Sequence, residues 1–396
     1  MIKRGYLKAL GRETAMIAIS SSLYAFSITL WYNFLSLYLS SFLKIEEVSL
    51  LLSLLASGGM LSIVLGGFLA DSFGRKPATT IAIVGVTLTT ATLGLSRSFV
   101  ALTIAILVFS LCSQSLRAIV RVFVAEKLPE DVRGRGLGII FTIVTLVGTI
   151  APTIGGYLAR VHGFTFVLLL SATITTISLL PLILVKETFP RRGLRLKMIV
   201  EPIRTFISVL RFRSPLLLYY IFWCMYCFGT EMVIPYISLF ANTVLGLSVE
   251  EVGLMFTLSH ILSIPSYYVG GILADRLGYK LALAVSLGLN VLFLTLMAYS
   301  PHKIMAIIFW ILASFIFMAH EAGEVALLVK LAPIEARSTA MSALSTLISL
   351  TTIPSPLVGG ILWSLIGPRN VYLIMLLLAT TALPLLSFIT VEDKRS

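Results

Sequence analysis

Long apolar runs separated by short polar segments make up nearly the whole chain. Twelve runs are long enough to cross a bilayer as a helix, which takes about 20 residues. They lie at residues 14–41, 48–70, 77–95, 99–124, 138–158, 164–185, 215–243, 252–274, 281–299, 303–330, 338–364 and 369–390. The runs are continuous, whereas a transmembrane barrel shows short segments of alternating polarity. Because lipid offers no water to the backbone, each run must be helical. The pattern therefore predicts an all-α polytopic membrane protein with twelve transmembrane helices, here called spans 1 to 12.

Composition and charge support this prediction. Only 12% of the residues are charged and the mean hydropathy is +1.01, whereas a soluble domain carries about 25% charged residues. The net charge is +12, yet 23 of the 30 Lys and Arg residues fall in alternate loops, five in the opposite loops and two inside a span. This asymmetry is the positive-inside rule. It predicts a cell (inner or plasma) membrane protein with both termini in the cytoplasm, and it argues against nucleic acid as a partner.

The chain repeats itself at an offset of 204 residues. "GGFLADSFGRK" begins at Gly66 and "GGILADRLGYK" at Gly270, with seven of eleven positions identical. "PTIGGYL" and "PLVGGIL" share the same offset, as do the two "EEV" segments. Six spans per copy give both copies one orientation. We therefore predict two pseudo-symmetric six-helix bundles, at residues 1–185 and 215–396. Residues 186–214 would form a basic cytoplasmic linker with a short helix on the membrane surface.

The glycine-rich loop resembles the signature loop of the major facilitator superfamily, G-x-L-a-D-R-x-G-R-K, in the same position between spans. The resemblance covers the whole chain, although Ser72 and Tyr279 replace basic residues of the signature. It implies a secondary transporter that works by alternating access. The span-5 signature of the multidrug/proton antiporter branch is met only in part, since Val147 and Ala151 replace glycines.

Charged residues of the two signature loops are candidates for gating. The resemblance implies that Arg75 pairs with Glu126 and that this cluster locks one side of the transporter. Asp71 would offset a helix N-terminus, and Asp275 and Arg276 occupy the second copy. A tight turn with solvated charges is the alternative.

Ionisable residues inside the spans are functional candidates, because a charge at the bilayer centre costs about 2.5–3.5 kcal/mol on insertion scales. In span 4, Gln114, Arg117 and Arg121 follow Ser110 on one helical face. Arg121 lies nearer the cytoplasm. The alternatives to a functional role for it are a contact with a lipid phosphate or a bond to Glu126.

Carboxylates occupy the second copy. Span 10 carries His320, Glu321 and Glu324, and span 7 carries Glu231 before Pro235. The offset makes Arg117 and Glu321 equivalent positions of the two copies. The resemblance implies that the two face each other across a central cavity. A buried carboxylate can exchange protons near neutral pH, with His320 assisting. The alternative is a static salt-bridge network.

Span 1 offers a stripe of aromatic and hydroxyl side chains. Tyr24 and Trp31 recur at helical spacing with Ser20 and Ser27. They either contact a ligand or pack against neighbouring helices, and the sequence leaves both interpretations open.

These observations favour proton-coupled export of an amphipathic or cationic small molecule, because carboxylates outnumber arginines in the spans. Transport of an organic anion held by Arg117 and Arg121 is the first alternative. A non-transporting receptor or a lipid scramblase on the same scaffold is the second. No catalytic constellation indicates an enzyme, and "HEAGE" lacks the second histidine of a zinc-protease motif. We expect no cofactor and no metal, a monomer, and protons and membrane lipids as partners.

Overall fold

A computed structural model describes residues 11–130, 133–187, 214–334 and 337–389. Every regular element in these ranges is a helix. The first ten residues and most of the predicted linker, including its predicted surface helix, lie outside the described residues.

The first half of the chain forms six spans. Span 1 bends through a short 3-10 turn at Tyr32–Phe34, and spans 5 and 6 meet at Gly163 inside one continuous stretch. The helices are Gly11–Thr29 and Leu35–Ser40 (span 1), Ile45–Phe73 (span 2), Arg75–Leu95 (span 3), Phe99–Lys127 (span 4), Arg133–Thr149 with the start of Ala151–Ile177 (span 5), and the rest of Ala151–Ile177 with Leu179–Ile183 (span 6).

The second half repeats this order with more interruptions. Span 8 bends by 47° near Pro265, and span 10 breaks at His320. The helices are Ser214–Glu231 and Ile237–Thr243 (span 7), Val249–Ser263 and Ser266–Leu277 (span 8), Tyr279–Ala298 (span 9), Lys303–Ala319 and Glu321–Leu331 (span 10), Arg337–Thr352 and Ser355–Ile366 (span 11), and Pro368–Ala382 with Leu385–Phe388 (span 12).

The prediction of twelve spans is confirmed. Nine helical segments among the described residues are long and apolar enough to cross a membrane, and the bent span 8 makes ten. One of the nine, Arg133–Ile183, is 51 residues long and holds both span 5 and span 6. The 29-residue helix Ile45–Phe73 supplies the remaining span.

Large apolar side chains on the outer surfaces fit a lipid environment. Leu88, Val100, Ile304 and Leu365 are each more than three-fifths exposed. A water-soluble protein rarely leaves many such side chains uncovered, whereas acyl chains are a suitable neighbour for them. The chain is therefore a multi-pass membrane protein.

The described residues pack as two compact units. Of the described residues, the first unit comprises 11–38, 54–130, 133–187 and 249–257, and the second comprises 39–53, 214–248, 258–334 and 337–389. The start of span 2 therefore belongs to the second unit, and the start of span 8 belongs to the first.

Glycines with positive φ mark the same turns in both halves. Gly74 (φ 98°) and Gly278 (φ 79°) separate spans 2 from 3 and 8 from 9. Gly163 (φ 82°) and Gly367 (φ 86°) separate spans 5 from 6 and 11 from 12. Both pairs are 204 residues apart. Glycine reaches this backbone region without the steric cost that other residues meet, so the repeat found in the sequence is a repeat of backbone geometry.

Candidate functional site

His320 occupies the break in span 10, where it is buried and contacts three other residues. Its Nδ1 contacts the backbone carbonyl of Phe317, and its Nε2 lies 3.2 Å from a carboxylate oxygen of Glu324. The imidazole packs against the indole of Trp223 with ring centroids 5.3 Å apart. Ring packing of the imidazole on the indole therefore joins the break in span 10 to span 7.

The two contacts of His320 limit which of its ring nitrogens can donate a hydrogen bond. A carbonyl oxygen only accepts hydrogen bonds, so Nδ1 carries a hydrogen. The contact between Nε2 and Glu324 then needs one further proton, on either the imidazole or the carboxyl group. Loss of that proton would leave a nitrogen lone pair facing a carboxylate oxygen. One proton, on either group, therefore completes the hydrogen bond between His320 and Glu324.

Glu231 lies at the end of the first helix of span 7. It is half-buried, and the helix ends at this residue before the 3-10 turn that contains Pro235. Glu231 and Glu324 both interact electrostatically with the thiol of Cys227. The thiol of Cys227 therefore interacts with one carboxylate of its own helix and with one of span 10, both within the second unit.

Glu321 lies apart from this group, although it is only one residue from His320. Its side chain is exposed, and it interacts with the hydroxyl of Tyr267 in span 8. Tyr267 also lies 3.3 Å from the sulfur of Met318. The sequence analysis missed three aromatic neighbours of these candidates, since aromatic residues are common in every span. The hydroxyl of Tyr219 donates to the backbone carbonyl of Glu324, Trp223 packs on His320, and Tyr267 interacts with Glu321.

Arg117 is the matching candidate of the first unit. Its side chain is exposed, and it interacts electrostatically with the hydroxyl of Tyr24 in span 1. Arg121, one turn further along span 4, lies 5.7 Å from the ring centre of Phe141 in span 5. Gln114 is half-buried on the same helix. Tyr24 and Arg117 thus form a polar group on facing helices of this unit.

The rest of the span-1 stripe is packed inside the first unit. Trp31 is 2% exposed and meets Phe109 edge to face, with ring centroids 5.1 Å apart. The hydroxyl of Ser27 bonds Thr175 at 2.8 Å, and Ser20 donates to the carbonyl of Ser178. These contacts favour packing over ligand binding for Trp31, Ser20 and Ser27.

A charged cluster lies at the end of the first unit that carries the Gly74 turn. This end is here called the basic end. The guanidinium of Arg75 lies 3.1 Å from the carboxylate of Glu126. The backbone N–H groups of Arg75 and Lys76 donate to Glu187. Glu187 therefore accepts hydrogen bonds at the N-terminus of span 3, where a negative charge is favourable. The sequence analysis did not identify Glu187, because it lies 111 residues or more from its partners.

The second unit keeps the geometry of this cluster but changes its chemistry. Tyr279 and Lys330 take the places of Arg75 and Glu126, and the Lys330 ammonium lies 4.9 Å from the Tyr279 ring centre. Lys280 donates to the carbonyls of Ser387 and Ile389. Lys76 donates to the equivalent carbonyls of Ile183 and Val185 in the first unit.

The remaining gating candidates add no described contact. Asp275 and Arg276 are exposed. The side chain of Asp71 lies outside what the structure describes.

Contacts at the opposite end of the spans, which carries the Gly163 and Gly367 turns, are also duplicated. In the first unit Thr153 in span 5 bonds the hydroxyl of Thr257 in span 8 at 2.8 Å. In the second unit the backbone N–H of Leu357 in span 11 donates to the hydroxyl of Ser53 in span 2 at 3.0 Å. Each residue lies 204 positions from its counterpart.

A second pair of contacts follows the same symmetry. Arg160 forms an ion pair with Glu250 in the first unit. The hydroxyl of Ser364 donates to Glu46 at 2.8 Å in the second unit. Spans 5 and 8, and spans 11 and 2, are therefore held together at this end by matching polar contacts.

Solved structures of transporters share this fold. The nucleoside transporter NupG superposes with a TM-score of 0.81 at 14% identity, covering 96% of this chain and all of that one. A bacterial homologue of the human lysosomal transporter Spinster, inward-facing and unoccupied, gives 0.74 at 15% identity over 98% of both chains. The human organic anion transporter MFSD10 gives 0.63 at 19% identity over 95% of this chain and 99% of that one.

Sequence comparison gives the family. A probable peptide/nitrate transporter of Arabidopsis thaliana is 32% identical over 103 residues, which is 26% of this chain and 21% of that protein. The match thus spans about a fifth of that relative's length. The family model described as Major Facilitator Superfamily matches residues 17–228 and 224–396. With its twelve spans and duplicated signature loops, the chain belongs to the major facilitator superfamily of transporters.

Proposed function

We propose that this protein is a secondary active transporter that couples the export of a cationic or amphipathic small molecule to proton movement. The observation that carries the proposal is the contact between His320 and Glu324, which requires one shared proton. Glu231 adds a second carboxylate that interacts with the same thiol as Glu324, that of Cys227. When the proton leaves, the pair gains one net negative charge that a cationic substrate can neutralise.

In alternating access, the contacts at one end of the spans hold while those at the other end are broken. The Arg75–Glu126 cluster holds the basic end of the first unit. The contacts of Thr153 with Thr257 and of Ser53 with Leu357 hold the opposite end. A substrate can leave on either side only when the contacts of that side break. We propose that the basic end is cytoplasmic, as the distribution of Lys and Arg predicts.

Transport in liposomes tests the proton coupling. We expect the purified protein to move a cationic probe, such as a fluorescent quaternary amine, when a pH gradient is imposed. Glu324→Gln removes the carboxylate that shares the proton, so gradient-driven transport is lost while exchange of probe across the membrane without a gradient persists. Glu130→Gln, a carboxylate that is exposed on a loop, is the matched control and leaves both activities unchanged. Gradient-driven transport that survives in Glu324→Gln would contradict the coupling.

Organic anion transport is the second candidate, because Arg117 is exposed and interacts with Tyr24 within its unit. MFSD10, whose fold is similar, is an organic anion transporter. Anion uptake that Arg117→Ala abolishes and Glu324→Gln leaves intact would favour this candidate. Tight binding of a solute without transport under any gradient would instead favour a receptor.

A further inference from the structure

We infer that the pocket at the basic end of the second unit binds the phosphate group of an anionic phospholipid. The pocket has a volume of about 590 Å³ and opens to the outside. Two lysines, Lys280 and Lys330, are its charged residues, and no acidic residue lines it among the described residues. Its wall is apolar, with Leu277, Leu281, Leu327 and Leu383 among the lining residues.

In the first unit, acidic side chains occupy the position that is equivalent to this pocket. The carboxylate of Glu187 accepts hydrogen bonds from the backbone N–H groups at the start of span 3, and Glu126 faces Arg75. An internal anion and an ion pair therefore satisfy this end of the first unit.

Among the described residues of the second unit, no acidic side chain takes the place of Glu126 or Glu187. Lys330 stands where the first unit has Glu126, so a negative charge is replaced by a positive one. No described side chain accepts a hydrogen bond from the backbone N–H of Tyr279 or Lys280. The Lys280 ammonium donates to two carbonyls, which leaves one of its three donors for a ligand. The site therefore offers the donors that bind an anion in the first unit, and no acid among the described residues occupies them.

The apolar wall decides between a lipid and a free anion. A soluble phosphate would use only the lysines and the helix N-terminus, whereas a phospholipid also covers the leucines with its acyl chains. The pocket lies at the end of the spans that carries the basic loops. Basic pockets between transmembrane helices on the cytoplasmic side commonly bind anionic head groups.

Native mass spectrometry of the purified full-length protein tests this inference, with phosphatidylglycerol and phosphatidylcholine as probes. We expect one phosphatidylglycerol to bind in preference to phosphatidylcholine. Lys330→Glu restores the acid of the first unit and changes the charge by two units. Since each unit of charge near an anionic surface contributes about 1 kcal/mol, phosphatidylglycerol binding should weaken by about thirtyfold. Arg369→Ala, an exposed charge at the opposite end of the second half, is the control and retains binding.

A second variant separates lost binding from misfolding. Tyr279→Arg combined with Lys330→Glu rebuilds the ion pair of the first unit, so this double variant should remain as thermally stable as the wild type while losing the lipid. Equal binding of phosphatidylglycerol to the wild type and to both Lys330 variants would overturn the inference. Inorganic phosphate that displaces the lipid at equal concentration would also overturn it, by assigning the pocket to a soluble anion. Binding that appears only in Glu392→Gln with Asp393→Asn would assign the pocket to the chain's own C-terminus.

Discussion

Glu13 and Lys127 form an ion pair at the basic end of the first unit, with the ammonium 2.5 Å from the carboxylate. Lys127 lowers the pKa of Glu13 from its usual value, first through this hydrogen bond. Because the folded pKa is lowered, the pair stabilises the fold above the ordinary carboxyl range. This stabilisation is lost as the pH falls through the folded pKa.

Glu13→Gln should therefore lower the melting temperature at pH 7 by about 1–3 °C, which corresponds to about 1 kcal/mol for a partly exposed pair. The difference from the wild type should shrink as the pH falls below the ordinary carboxyl pKa. Thermal unfolding in detergent at pH 7 and at acidic pH measures both effects. Glu130→Gln, whose carboxylate is 90% exposed, serves as the control, and a difference that persists at low pH would contradict the assignment.

At the residue scale the sequence predicted kinds of side chain better than their partners. The cost of a charge in lipid singled out Arg117, Glu231 and Glu324 without any structure. Glu13 and Glu187 escaped notice because their partners are more than 100 residues away and share no spacing rule with them. Trp31 was ambiguous for a different reason, since an aromatic residue on a helical stripe suits either a ligand or the core.

Single glycines set the geometry between helices at the element scale. Gly367 has φ 86° and ψ 155°, and an added Cβ would meet nothing within 4 Å. Any cost of Gly367→Ala must therefore come from the backbone, and we expect about 1–3 kcal/mol of destabilisation. Thermal unfolding in detergent measures it.

Gly138 provides the matched control, because it also has open space around its Cβ position but lies inside the helix Arg133–Thr149. Gly138→Ala should stabilise the protein by about 0.5–1 kcal/mol through helix propensity. Destabilisation of similar size in both variants would show that crowding, rather than backbone conformation, governs these sites.

The existence of the helices followed from run length, but their interruptions did not. Pro235 indicated a kink in span 7, and the structure has a 3-10 turn there. The break in span 10 at His320 could not be predicted in this way, because no proline or glycine lies at the break itself. Its imidazole contacts the carbonyl of Phe317, and such a side-chain contact depends on tertiary packing against Trp223.

At the scale of the whole molecule, the duplicated contacts at the opposite end define a test of alternating access. The Oγ1 atoms of Thr153 and Thr257 are 2.8 Å apart, so cysteines at these positions lie within reach of a disulfide. In a variant without Cys112, Cys224 and Cys227, oxidation of Thr153→Cys with Thr257→Cys should stop transport of the cationic probe. Reduction should restore it.

The single-cysteine variants control for the substitutions themselves, and each should transport under oxidising conditions. A crosslinked protein that transports at the wild-type rate would show that this end does not open. The same design applies to the equivalent contact of the second unit, between the hydroxyl of Ser53 and the backbone N–H of Leu357.

The repeat made the architecture predictable at this scale. An offset of 204 residues, read from a few glycine-rich phrases, also relates the turns at Gly163 and Gly367 and the polar contacts at Thr153 and Leu357. It did not predict that the ion pair of Arg75 and Glu126 becomes a contact between Tyr279 and Lys330. Duplication conserves backbone geometry, while side chains at equivalent positions diverge because each unit satisfies its charges separately.

The turn at Gly163 also bears on how the protein can be labelled. Helical backbone runs up to this residue from one side and resumes immediately after it, so almost no loop projects from the bilayer there. An epitope, glycan acceptor or protease site inserted at Gly163 or Gly367 would have to unwind a helix end to become accessible. Experiments that map sidedness should therefore place their reporters in the loop after Leu95, where Ser96 and Arg97 separate two helices.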